Sequence, residues 1–154
     1  MMHAMDRMKA DRWPFAALSG TVFLYVLLRA ALIPIVLDES TSFLMFVQDG
    51  AFLPFHSQWD ANNHFLNSFC GWVGWSLGGL HLLSLRWASV LSFALFAFSA
   101  WRIGMFVQGR IVRWCLWLAL LGCPFLLDFF SLFRGYGPAM AFLLLSLEAT
   151  LSYA

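Results

Sequence analysis

From Phe15 to Leu37 the chain is almost continuously apolar, with Arg29 the one charge in 23 residues. At ~1.5 Å per residue a helix of that length reaches about 34 Å, enough to cross a hydrocarbon core of roughly 30 Å. Leu85–Val107, Ile111–Phe130 and Gly137–Ala154 continue in the same character. The pattern predicts four membrane-spanning helices. Trp87 and Trp101 bracket the second and Trp114 opens the third, where interfacial aromatics belong.

Residues 38–80 interrupt this pattern. Thr41–Gln48 suits a short surface helix, broken by Asp49-Gly50 and Pro54. Beyond it, His64, Asn67, Ser68, Gly71, Trp75 and Gly78 share one helical face, and Phe65, Leu66, Phe69, Trp72, Val73 and Leu77 share the other. Such a two-faced helix fits the membrane surface better than its interior. The basic residues agree. Arg7, Lys9 and Arg12 put the N-terminus on the cytoplasmic side. With Asn63–Leu80 on the outer surface, and Arg29 set aside, lysine and arginine divide six inside to two outside; a crossing gives five to three. The expectation is an outer juxtamembrane segment.

Composition supports lipid as the main solvent: 62% of residues are hydrophobic and 11% charged, against about 25% charged in soluble domains. A net charge of +1 leaves no footprint for nucleic acid. Cys70, Cys115 and Cys123 lie in apolar runs without CxxC spacing, as packing residues do. Phe15–Leu37 is longer than the ~7–15-residue apolar core of a signal peptide and lacks a small-x-small cleavage site, so it reads as a retained span. The apolar run still open at Ser152-Tyr153-Ala154 suggests the front of a longer protein. No internal repeat, low-complexity tract or soluble domain is evident. The fold class expected is all-α, a polytopic transmembrane bundle with an outer juxtamembrane helix.

This topology gathers Asp38, Glu39, Asp49, Asp60, His64, Arg86, Asp128, Arg134 and Tyr136 at the outer surface. Arginines offer a bidentate fork to phosphate oxygens, and a carboxylate accepts a hydroxyl proton. Ordinary interfacial charge is the competing explanation. Arg29 lies about eight residues inside the first span, where function is the default hypothesis for a charge. His56, Asp60 and His64 are spaced by four, a metal-binding face if the helix were continuous. Pro54 and the loop-like composition argue against that, so a divalent metal is unsupported. Gly74 and Gly78 form a small-xxx-small pair suited to close packing. Glu148, in the last apolar run, is assigned no role.

Four short motifs occur in the order of a known family. Asp38-Glu39 resembles the first-loop acidic motif of the GT-C membrane glycosyltransferases, in the branch of protein O-mannosyltransferases and the lipid A aminoarabinose transferase. Asn62-Asn63-His64-Phe65-Leu66 is similar to that branch's Asn-His or His-Pro-Pro-Leu segment, without its prolines. Leu85-Arg86-Trp87-Ala88-Ser89-Val90-Leu91 resembles its RxxSxL span start, and Arg134-Gly135-Tyr136 its Arg-x-Tyr stretch. The resemblance implies the N-terminal part of such an enzyme, moving a sugar with inversion from a polyprenyl-phosphate donor to a hydroxyl acceptor. Asp38 would be the catalytic carboxylate and Glu39 its neighbour at the centre. His64, Arg86, Arg134 and Tyr136 would be substrate-binding positions. The lipid-linked donor and membrane lipid would be the partners, in the plasma (inner) membrane if bacterial, with the active face outward. A transporter or flippase for a lipid-linked substrate is a second expectation, though it would place charges near the midplane on broken helices. A non-catalytic membrane subunit is a third.

Overall fold

The computed structural model describes residues 2–53, 55–57, 60 and 63–153, and these are helical or irregular, without strands. Helix α1 runs Met2–Leu32, and α2, Leu37–Ser42, continues into a π-helical turn over Phe43–Val47. Then come α3 (Phe65–Gly78), α4 (Leu82–Phe106), α5 (Arg110–Leu121), α6 (Pro124–Ser131) and α7 (Tyr136–Tyr153).

Among the described residues, two helices are long and apolar enough to cross a membrane, Ala10–Leu32 of α1 and Leu82–Phe106. A third crossing arises if α5 and α6, bent by 48° at their junction, act as one span. The expected third span, Ile111–Phe130, is therefore broken. Pro124 supplies no N–H and crowds the preceding turn, so Cys123 is extended and a new helix starts there. The expected fourth span is helical as α7, but Glu148 and its serine and threonine neighbours leave it too polar to count among the helices that could cross a membrane.

The first span also ends earlier than its hydropathy suggests. Pro34 disfavours a helical Ile33, the helix stops at Leu32, and the chain restarts at Leu37. The expected surface helix over Thr41–Gln48 thus begins four residues sooner and carries Asp38 and Glu39 in its first turn. Its later half is π-helical, closed by the Gln48 N–H to the Phe43 carbonyl at 2.9 Å.

Helix α4 is the centre of the packing. Val26, Phe93, Ala100, Trp117, Phe130 and Ala141, drawn from α1, α4, α5, α6 and α7, are all fully buried in one cluster. A Cβ at Gly104 would stand 2.1 Å from Trp117 Nε1, so the glycine admits the indole, which donates to the Ala100 carbonyl at 2.9 Å. Helix α3 has 14 residues, about 21 Å, short of a ~30 Å core. Its polar face, expected to meet water, meets protein instead: Asn67, Ser68 and Gly71 are buried, while Phe65, Leu66 and Phe69 are exposed. Glycines explain the fit, since a Cβ at Gly74 would lie 1.8 Å from the Ser84 carbonyl oxygen of α4.

Ion pairs mark both ends of the bundle. Asp11 on α1 pairs with Arg113 at 2.6 Å and Arg110 at 3.0 Å, and accepts from Trp114 Nε1 at 3.2 Å. Near the other end of α1, Arg29 pairs with Asp128 of α6 at 2.6 Å. The bent α5–α6 unit therefore meets α1 at two levels, Asp11 and Arg29. Arg102 pairs with Glu148 at 2.9 Å, so the late turns of α4 and α7 lie together.

Candidate functional site

The turn between α6 and α7, Leu132–Gly135, gathers the residues singled out in the sequence. The Phe133 N–H donates to Glu39, the Arg134 side chain pairs with Asp38 at 2.6 Å, and the Arg134 carbonyl meets Ser89 Oγ at 3.5 Å. At Gly135 a Cβ would fall 2.3 Å from His64 Cγ, so only glycine lets the imidazole close over the turn. Tyr136 follows, its ring 5.0 Å from that of His64 and 5.0 Å from that of Phe129. Asp38, Glu39, His64, Arg134 and Tyr136 come together here, with Arg86 joined through Glu39.

They divide into two layers. In the lower one, Glu39 and Arg86 are 0% and 1% exposed. Arg86 Nε and Nη2 reach the two Glu39 oxygens at 2.8 and 2.5 Å. Its remaining N–H groups go to the carbonyls of Ala30 (2.8 Å), Ile33 (2.7 Å) and Pro34 (3.2 Å), capping the end of α1. A guanidinium has five N–H donors, and all are taken. Glu39 in turn accepts from the Val36 N–H at 3.0 Å. Burial would raise its carboxyl, but the hydrogen bonds from Arg86, Phe133 and Val36, with the Arg86 charge, outweigh that and hold it below its ordinary value. Glu39 and Arg86 were expected at the substrate. They instead form a closed clamp joining α1, α2, α4 and the 132–135 turn, with no free donor for a phosphate.

The upper layer is open. Side chains of Asp38 and Arg134 are 48% and 31% exposed, Tyr136 is exposed, and Arg134 Nε is buried without a partner. Asp38 does not cap α2; its partner is Arg134. Burial lowers the His64 imidazole below its ordinary value, favouring the neutral ring at neutral pH. The arrangement presents a carboxylate able to accept a proton, a guanidinium able to receive an anion, a neutral imidazole and a phenol.

Arg29 belongs to this end as well. It reaches Asp128, Nη1 donates to the Tyr25 hydroxyl at 3.2 Å, and its Nε is buried and unpartnered. Two further residues were given no role from the sequence. Asn67 is buried with Oδ1 unpartnered, and Asn63 ties the preceding loop by donating to the Phe52 carbonyl and Ser57 Oγ. The polar face of α3 for Asn67 and the Asn-His motif for Asn63 were the available clues. His56 and Asp60 lie in the irregular segment before α3, not on one helix with His64. Among the described residues no group of three or more histidine, cysteine, aspartate or glutamate side chains is placed to hold a metal ion. The Asp38–Arg134 and His64–Tyr136 contacts thus rest on geometry alone: no family model, curated protein or solved structure matches the chain.

Proposed function

We propose that the chain forms part of a polytopic membrane glycosyltransferase of the GT-C type, which moves a sugar from a polyprenyl-phosphate donor to a hydroxyl acceptor. The observation that carries this reading is the exposed Asp38–Arg134 pair seated on the buried Glu39–Arg86 clamp. An exposed ion pair contributes about 0–1 kcal/mol to stability, so a rigid support beneath one is better explained by chemistry than by folding. Donor phosphate engages Arg134, which releases Asp38 to take the proton of the acceptor hydroxyl as the sugar is transferred. His64 and Tyr136 flank the acceptor side. Glu39 and Arg86 act as positioning residues and do not touch substrate. The charged groups lie at the ends of the bundle, not near its middle, which favours transfer at a surface over passage through the membrane.

A positioned base typically contributes about 10²–10⁴-fold in rate. Asp38→Asn should lower sugar transfer by about that factor while donor affinity changes little, the pattern of a lost transition-state interaction. Transfer from a polyprenyl-phosphate sugar, measured in membranes matched for protein level, tests it; near-normal turnover would sink the proposal. Arg134→Lys keeps the charge and loses the fork, so donor binding should weaken with membrane insertion unchanged.

A further inference from the structure

Far from the Asp38 cluster, α1 and α4 leave an open groove between them. It encloses about 400 Å³ and is lined by small and aromatic side chains, among them Gly20, Phe23, Phe93, Ala97 and Trp101. Ser19 does not make it polar, because its hydroxyl donates back to the Ala16 carbonyl at 3.2 Å. A Cβ built at Gly20 meets nothing within 4 Å. The groove is therefore unfilled, not closed by packing.

One end of the groove carries Arg12. Among the described residues Arg12 makes no ion pair; its guanidinium lies 5.8 Å from the ring of Trp13, which is itself exposed. The nearest acid along the helix, Asp11, is already committed to Arg110 and Arg113. The other end is reached at Phe23, 11 residues further along α1. At ~1.5 Å per residue the groove is about 16 Å long, close to one leaflet of a ~30 Å core. Its free cation stands at the level of Trp101, near the end of the α4 span, where headgroups lie.

We propose that this groove holds one acyl chain of an anionic phospholipid, whose phosphate pairs with Arg12. The length matches a leaflet, the walls match a hydrocarbon chain, and the unspent charge selects the headgroup. The inference requires a membrane around α1 and α4 and does not depend on the transferase reading.

The test uses the purified full chain in phosphatidylcholine vesicles, with a minor fraction of phosphatidylglycerol bearing a photoactivatable diazirine midway along one acyl chain. After irradiation, adducts are mapped by mass spectrometry. They should concentrate on the α1 and α4 peptides lining the groove and be several-fold more abundant than with a phosphatidylcholine probe of the same chain. Arg12→Gln should reduce phosphatidylglycerol labelling to the phosphatidylcholine level. Gly20→Leu should fill the groove and remove adducts from both probes, with helix content retained and the thermal midpoint not lowered. If Gly20→Leu disturbs folding, competition by excess unlabelled phosphatidylglycerol takes its place, and displacement is expected. Equal labelling by the two probes, adducts that survive filling or competition, or cross-links through the groove to a second copy would each overturn the proposal.

Discussion

Asp38 and Glu39 are neighbours in sequence with opposite fates. One turn of helix directs Glu39 inward to Arg86 and leaves Asp38 outside with Arg134. The two should separate cleanly in stability measurements. Glu39→Gln strands a buried guanidinium, and removing one partner of a buried pair costs about 3–5 kcal/mol. Asp38→Asn breaks an exposed pair and should cost about 0–1 kcal/mol. Thermal unfolding in detergent compares them, and equal losses would contradict the two-layer arrangement. The clamp also has a pH signature. Because the folded Glu39 carboxyl titrates below its ordinary value of 4.5, its contribution is complete above that pH and is lost as the pH falls through the folded value. Unfolding midpoints should therefore drop on acidification below about 4.5, a drop that Glu39→Gln should lessen. At this scale the sequence marked residues that the fold brings together but not their layer. A Asp-Glu dipeptide at a helix start does not say which carboxylate faces the core; that depends on Arg86, 47 positions away.

Helices were legible as apolar runs, and their interruptions were not. Pro34 and the Gly122–Pro124 step were both visible, yet hydropathy averages over them, so the end of the first span falls five residues before its expected place and α5–α6 is bent where one straight span was expected. Helix α3 was legible as two-faced, but amphipathicity does not say whether the polar face meets water or protein. Its glycines could have answered. Gly74→Ala places a methyl against the Ser84 carbonyl, and overpacking of that kind costs about 1–3 kcal/mol. Gly20→Ala, in open space on α1, should instead stabilise by about 0.5–1 kcal/mol, as alanine does over glycine within a helix. Chemical unfolding of the two variants should give shifts of opposite sign. A shared sign would mean that α3 does not dock on α4 through its glycines.

For the whole molecule, α3 at about 21 Å is too short to span a ~30 Å core, so in a bilayer residues 64–79 would return to the surface they left. In a variant lacking Cys70, Cys115 and Cys123, Leu82→Cys should react with an impermeant thiol reagent added outside intact cells, and Gln108→Cys should not. The reverse pattern would invert the arrangement of the bundle. A different consequence follows from the ion pairs at the two ends of α1. Asp11 and Arg29 are 18 residues apart, about 27 Å along the helix, and both are fastened to the same bent partner, α5–α6. Neither element can tilt without the other, so the usual accommodation to a bilayer of the wrong thickness is restricted. The pairs then act as a ruler. Thermal stability in phosphatidylcholines of graded chain length should peak where the hydrocarbon core is about 27–30 Å and decline on both sides, by a fraction of a kcal/mol per Å of mismatch.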